Sequence, residues 1–458
     1  MERSVLLPAR NRAGAARSAP PTRSLRRTAS LAAVLLAASA VAGGLTMRAA
    51  DQALRHQVPP PATAAAPAAG TPAASIDVRR RAAAVDAILK RRATAVLRHR
   101  PDLFLADVDR RDERLVTGQR TLYANLVQFG FDRLRYLPVR EQFDAALLDR
   151  RGPSAYAVQV VMDYRIKDID ATPVHTLVGY TFVQLRGRWV LTADDDLDTS
   201  LPFGSHREPW DTGPVMVRRA PRVLVVVEPD DQRLARSLVR DARSAVRAVS
   251  RRWPRGWKGA GLVIALRDRW VRTADYTVEK NAEDAVAMAT AVYRTLPGET
   301  SSDGERAASY VVVNPRFRTD LGARVLAHEF THVVTAPYGG NAPRWLVEGV
   351  ADYIEYLPMD GEPDLDLDRY RAKVRYCYLA KVGRLPADQV FYASVVSSYA
   401  IGWYAVDWLM SRYGPRAVAD LYDDLAGHGF DQVQRDRIMA THLGMTETGL
   451  IRALKQTS

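Results

Sequence analysis

The sequence predicts an α+β protein of more than one domain, and three observations carry that prediction. Apolar residues at a period of two, Tyr156, Val158, Val160, Met162, Tyr164 and Ile166, mark an antiparallel strand after a helical start. The continuous run Val223–Val227 marks a strand buried on both faces and opens a second unit. Helical spacing returns between Leu321 and Tyr353, and again from Tyr399 onward, so this second unit ends in helices. At 458 residues the chain has room for two to three cores.

Residues 1–27 carry seven arginines and no lysine, and Thr28 to Met47 is an uncharged run of twenty. A basic segment before an apolar run is the pattern of a signal peptide or signal anchor. Residues 1–50 are assigned to it, and a membrane becomes a partner through residues 28–47. Residues 51–76 read as an extended Pro/Ala linker, since 59–75 lacks both charge and large side chains.

Folded sequence is expected from Asp77. Helices are predicted at 77–97, 101–108 and 114–131, followed by the alternating strand and by a hairpin of Val174–Leu185 with 188–192, turning at Gly187. Helices before a curved antiparallel sheet resemble the nuclear-transport-factor-two-like, cystatin-type α+β fold over residues 77–200. The resemblance implies a spacer or a concave sheet that holds a ligand. His175 reads as a surface strand residue. Residues 201–214, with three prolines and two glycines, read as the connection between domains.

In the unit at 215–458, Val223–Val227 is followed by a predicted helix at 232–253 and by strands at 261–266 and 308–314. Next comes Ala327-His328-Glu329-Phe330-Thr331-His332 within an apolar stripe of Leu321, Val325, Leu326, Phe330, Val333 and Val334, with Thr319 and Asp320 available as caps. At about 3.6 residues per turn, His328 and His332 share one helix face and can hold one ion, with Glu329 beside them as a base toward water. A turn at 339–343 leads to Trp345-Leu346-Val347-Glu348-Gly349-Val350-Ala351-Asp352-Tyr353, where Asn341 suits a cap and Pro343 a first helical turn. Glu348 and Asp352 are again i and i+4. One of them can complete a zinc shell while the other accepts the spare ring N–H of a histidine ligand.

HEFTH followed by WLVEGVADY resembles the gluzincin metallopeptidases, specifically the bacterial peptidase-MA-like group. The resemblance implies a thermolysin-like domain with a mixed sheet and one Zn²⁺ on His328, His332 and Glu348. It makes Glu329 the general base and Asp352 the partner of His328. A tyrosine on a later Ser-Tyr helix steadies the oxyanion in such enzymes, and Tyr399 holds that place. The strand before the active helix borders the cleft there, which puts the substrate-binding edge at 310–314.

Composition narrows the remaining classes. The net charge of +13 is concentrated at the N-terminus, where nine arginines stand against Glu2 and Asp51 in the first 75 residues. No basic cluster is interleaved with stacking aromatics, so nucleic acid is not expected as a partner. Cys377 is the only cysteine, which excludes disulfide frameworks and multi-thiolate metal sites and reads as a small buried hydrophobe. The expectation is an extracytoplasmic zinc peptidase acting on peptides or proteins, anchored or secreted. It is an endopeptidase rather than an aminopeptidase, because no stretch before the zinc helix suits a free amine. The rival is a non-catalytic envelope protein with a structural or vestigial zinc site. Cleavage specificity and oligomeric state are not encoded legibly.

Overall fold

The computed structural model describes residues 72–142, 145–201, 208–211, 213–267, 285–294, 305–318 and 321–457. The segment at 1–50 expected as an export signal or anchor, with its run at 28–47, lies outside them. Among the described residues no helix is long and apolar enough to cross a membrane.

Helix α1 (Pro72–Leu97) begins inside the expected linker, since alanines favour helix and proline is tolerated in a first turn. The second helix, α2 (Pro101–Phe104), is shorter than expected because Val108 turns to bridge Leu191. Helix α3 (Glu113–Phe129) is capped by the Asp112 side chain on the Leu115 amide and ends at Gly130, whose φ of 65° is the left-handed value glycine adopts freely. Strand β1 (Phe131–Gln142) follows, then α4 (Ala145–Arg151), β2 (Tyr156–Ile166), β3 (Val174–Leu185) and β4 (Arg188–Ala193). The β3–β4 hairpin turns through Arg186 and Gly187, both at positive φ.

The second half holds β5 (Met216–Ala220), β6 (Val223–Val227), α5 (Gln232–Arg252), β7 (Gly261–Ala265), β8 (Ala287–Arg294) and β9 (Glu305–Val313). Helices α6 (Ala323–Thr335), α7 (Arg344–Tyr356), α8 (Leu367–Lys373), α9 (Val395–His428), α10 (Gln432–Leu443) and α11 (Glu447–Gln456) complete it. Helix α9 breaks internally at Gly414-Pro415, where the sequence places its stop.

All nine strands form one mixed sheet in the order β1-β2-β3-β8-β9-β7-β6-β5, with β4 on the side of β3. The two halves meet where β3 and β8 touch in parallel at His175 and Arg294. One sheet face packs against α5 and α6, and behind them α7 and α9. The other face of β6–β9, through Leu224, Ile264, Met288 and Val312, shares a core with α1, α3, β2 and β3. The segments expected as separate domains thus share a sheet and one of its cores.

In the described part of the 201–214 connection Trp210 is buried against Phe129, Phe131 and Tyr164, and Asn125 donates to the carbonyls of Trp210 and Gly213. Three expectations are corrected. The edge reading for 310–314 fails because β9 lies between β8 and β7. His175 is not on the surface, since its side chain is 6% exposed and lies 3.7 Å from Asp163. Cys377 is exposed, within the π-helical turn Val374–Tyr378 that follows α8.

Candidate metal centre

Helix α6 is buried along its whole length, with Val333 its one partly exposed residue. Its cap is Gly322, without a side-chain bond, while Thr319 and Asp320 lie outside the described residues. Phe330 seats it on the sheet at Gly261, where an added Cβ would meet the ring at 2.2 Å. Helix α7 begins one residue after Pro343, which is its N-cap, and the Arg344 amide donates to Asp388 from a distant turn. Asn341 does not cap α7. Its side chain binds the carbonyls of Ala426 and Gly427. Helices α7 and α9 cross at a glycine pair, where a Cβ on Gly349 would meet the Gly402 carbonyl at 2.4 Å. This near-backbone approach brings Tyr399 onto the His328 ring, with centroids 6.4 Å apart and planes at 27°.

His328, Glu329, His332, Glu348 and Asp352 are brought together, each at most 2% exposed. The Nε2 atoms of His328 and His332 face one Glu348 oxygen, Oε2, at 3.3 and 3.6 Å. Ligand atoms about 2.0–2.1 Å from a tetrahedral ion stand about 3.4 Å from one another. The two separations from Glu348 match that value, and all three ligand atoms lie within 4.8 Å of one another. His328 Nε2 and Glu348 Oε2 close no hydrogen bond, as expected of atoms facing a shared centre. These buried groups can bind a metal ion.

The other ring nitrogen of His328 is held from behind. Its Nδ1 lies 3.0 Å from Asp352 Oδ1 and 3.1 Å from Glu355 Oε2. Glu355 was missed in the sequence, although Glu348, Asp352 and Glu355 follow i, i+4, i+7 along one face of α7. Tyr392, in the 3-10 turn before α9, acts on Glu348. Its hydroxyl donates to Glu348 Oε1 at 3.1 Å, and Arg344 donates to that hydroxyl at 2.7 Å while covering its ring. The remaining oxygen of Glu348 is thereby turned toward the histidines. Tyr399 is 1% exposed and packs between Phe391 and the His328 ring.

Charge follows from burial and neighbours. Against burial, Asp352, Glu348 and Glu355 raise His328 well above its ordinary value. Burial lowers His332. Against burial, His332 and His328 hold Glu348 well below the usual carboxylate range. Burial pushes Asp352 up to about 7, opposed by His328. A metal-free centre therefore favours a proton on a histidine ring among three acids, the position a divalent cation takes over on binding.

Glu329 stands apart from this set. Burial pushes its carboxyl up to about 8, the charges of Glu348 and Glu355 adding to the effect and His328 and the Ala289 backbone opposing it. The Ala289 amide is close enough to favour the charged form, yet neither carboxylate oxygen closes a hydrogen bond of ordinary geometry.

The chain matches no protein-family model and no curated protein. The reading of this centre rests on its own residues.

Proposed function

We propose that the protein is an extracytoplasmic zinc-dependent peptidase of the gluzincin type, probed best as an endopeptidase. One observation carries the reading: three ligand atoms within 4.8 Å of one another, with both histidine nitrogens at tetrahedral-shell distance from the Glu348 oxygen, stand beside a buried carboxylate whose oxygens have no hydrogen-bond partner. A structural site needs no such base and closes its fourth position with protein. His328, His332 and Glu348 are the residues that would hold the ion. When bound, zinc supplies Lewis acidity toward a carbonyl and toward water.

The chain's own residues do the rest. Asp352 and Glu355 accept the Nδ1 proton of His328 and fix its tautomer. Tyr392 and Arg344 orient Glu348. Glu329 holds and moves the proton, taking it from water and returning it to the leaving nitrogen. A cation on the ligands favours the charged form of Glu329 and opposes the effect of its burial. Tyr399 is the oxyanion donor under this reading, by its place against His328. The substrate strand pairs with β8 rather than β9, because β8 is joined to β3 only at Arg294 and its Ala289 faces Glu329. Export follows from the basic N-terminus and the uncharged run at 28–47.

The test is peptide turnover by the purified protein on a mixed library, followed by zinc removal and return. Turnover should vanish with the metal and come back with it. Stoichiometric zinc with no cleavage of any peptide would favour the structural-zinc alternative.

A further inference from the structure

On β9, pairing with β8 runs in strict register from Val313 opposite Ala287 to Ala308 opposite Val292, and then slips so that Arg306 faces Tyr293. The extra residue is Ala307, a β-bulge, which re-aims the side chains beyond it. Before the slip, Val311 and Val313 point to the α6 face and Tyr310 and Val312 to the other. Ala307 and Ala308 both join the far core, so the bulge returns Arg306 to the α6 face, where the metal centre is.

There the guanidinium is under-satisfied. Its Nε and Nη1 are buried without a hydrogen-bond partner, and among the described residues it makes no ion pair. A half-buried charge in that state is costly unless something supplies acceptors. Its electrical neighbourhood overlaps that of the centre. Tyr422, raised first by its own burial and lowered by Thr335 at the end of α6, is raised by Glu348 and lowered by Arg306. On the α6-facing side of β8 the buried Ala287 and Ala289 flank the centre, and only the small side chain of Ala291 stands between Ala289 and the level of Arg306.

We infer that Arg306 is a recognition residue for a substrate carboxylate, set two to four residues along an extended peptide from the bond that is cut. The span follows from strand geometry. Ala289, beside Glu329, and Tyr293, level with Arg306, are four residues apart, or about 13 Å, and an arginine side chain reaches back about 6 Å of it. The fork of the guanidinium matches a carboxylate, which accepts on both oxygens. The carboxylate belongs to an acidic side chain or to a free C-terminus. This inference rests on the peptidase reading.

The test compares internally quenched peptides that differ only as Glu against Gln at the second, third and fourth positions on either side of the cleaved bond, with free or amidated C-termini. The readout is the ratio of kcat/KM for acid over amide. The parent should favour the acid about tenfold at one of these positions, the scale of one charge-assisted hydrogen-bonded contact. Arg306→Gln should bring the ratio within about twofold of one. Arg306→Lys keeps the charge without the fork and should retain a reduced preference, which decides the matter if Arg306→Gln does not fold. An internal Glu preference identifies a side chain, and a free C-terminus preference identifies a terminal carboxylate. No acid preference in the parent, or one that survives both substitutions, overturns the inference. Binding of the same peptides to zinc-loaded Glu329→Gln, read by fluorescence anisotropy, separates the two ideas. If the parent cleaves nothing, the peptidase reading falls, while acid-selective binding lost with Arg306→Gln still sustains the role of Arg306 and its absence overturns it.

Discussion

Two buried polar clusters lie on opposite faces of the same sheet, and they end differently. Beyond the far face, Asp170 accepts from the Ile166 amide on one oxygen at 2.7 Å and from the Tyr310 hydroxyl on the other at 3.2 Å. On the α6 face, His328 Nε2 and Glu348 Oε2 point at each other without closing a bond, and Glu329 has no partner. Both clusters contain carboxyls raised by burial, Asp170 and Asp352 each to about 7. Burial and perturbed titration therefore do not separate a site from a structural network. The grouping of the leftover atoms does: the Tyr164 hydroxyl of the far cluster also closes no bond, whereas on the α6 face the leftover atoms include metal-ligand atoms gathered within 4.8 Å of one another.

The sharpest way to break that contrast is Glu329→Gln. The variant should fold and hold zinc like the parent while peptide hydrolysis falls by at least ~10²-fold, the scale of a positioned base. Parallel assays of zinc content and turnover on one preparation check it. Next, Asp352→Asn and Glu355→Gln should each weaken zinc affinity by about 10–100-fold, since each removes a carboxylate from His328 Nδ1. Competition with a chelator measures this, and an unchanged affinity for Glu355→Gln would reduce that residue to packing.

The far cluster should respond to pH and be indifferent to metal. Burial raises the folded-state pKa of Asp170 from 3.8 to about 7, so between those values the folded chain holds a proton that the unfolded chain gives up. Stability attributable to Asp170 is therefore present at low pH, falls as pH rises through that window, and levels off above about 7. The parent should lose about 2 kcal/mol more than Asp170→Asn between pH 5 and pH 8 in denaturant unfolding, while both bind zinc equally. Equal pH profiles would contradict the assignment.

The elements around the motif were legible because helical spacing is local. HExxH and the i, i+4 pair of Glu348 and Asp352 mark α6 and α7 within a few residues of their ends. Their caps were not legible, since Asp388 reaches the start of α7 from far along the chain. Strand β8, AMATAVYR, is too alanine-rich to announce itself, and pairing with β9 forms it. Missing it placed β9 at an edge. Strand β1 alternates arginines with apolar residues around Pro138, as a solvent-facing edge strand does, and the sequence reading assigns no element there. Tyr392 and Arg344 lie 48 residues apart, and no spacing rule joins them.

The central claim is that His328, His332 and Glu348 form one zinc site. Its most direct test is zinc stoichiometry by elemental analysis on purified parent and Glu348→Ala, each equilibrated with limiting zinc and then dialysed. About one ion per chain in the parent and loss of most of it in Glu348→Ala is the predicted result. A parent that retains no zinc, or a Glu348→Ala protein that keeps a full equivalent, would contradict it.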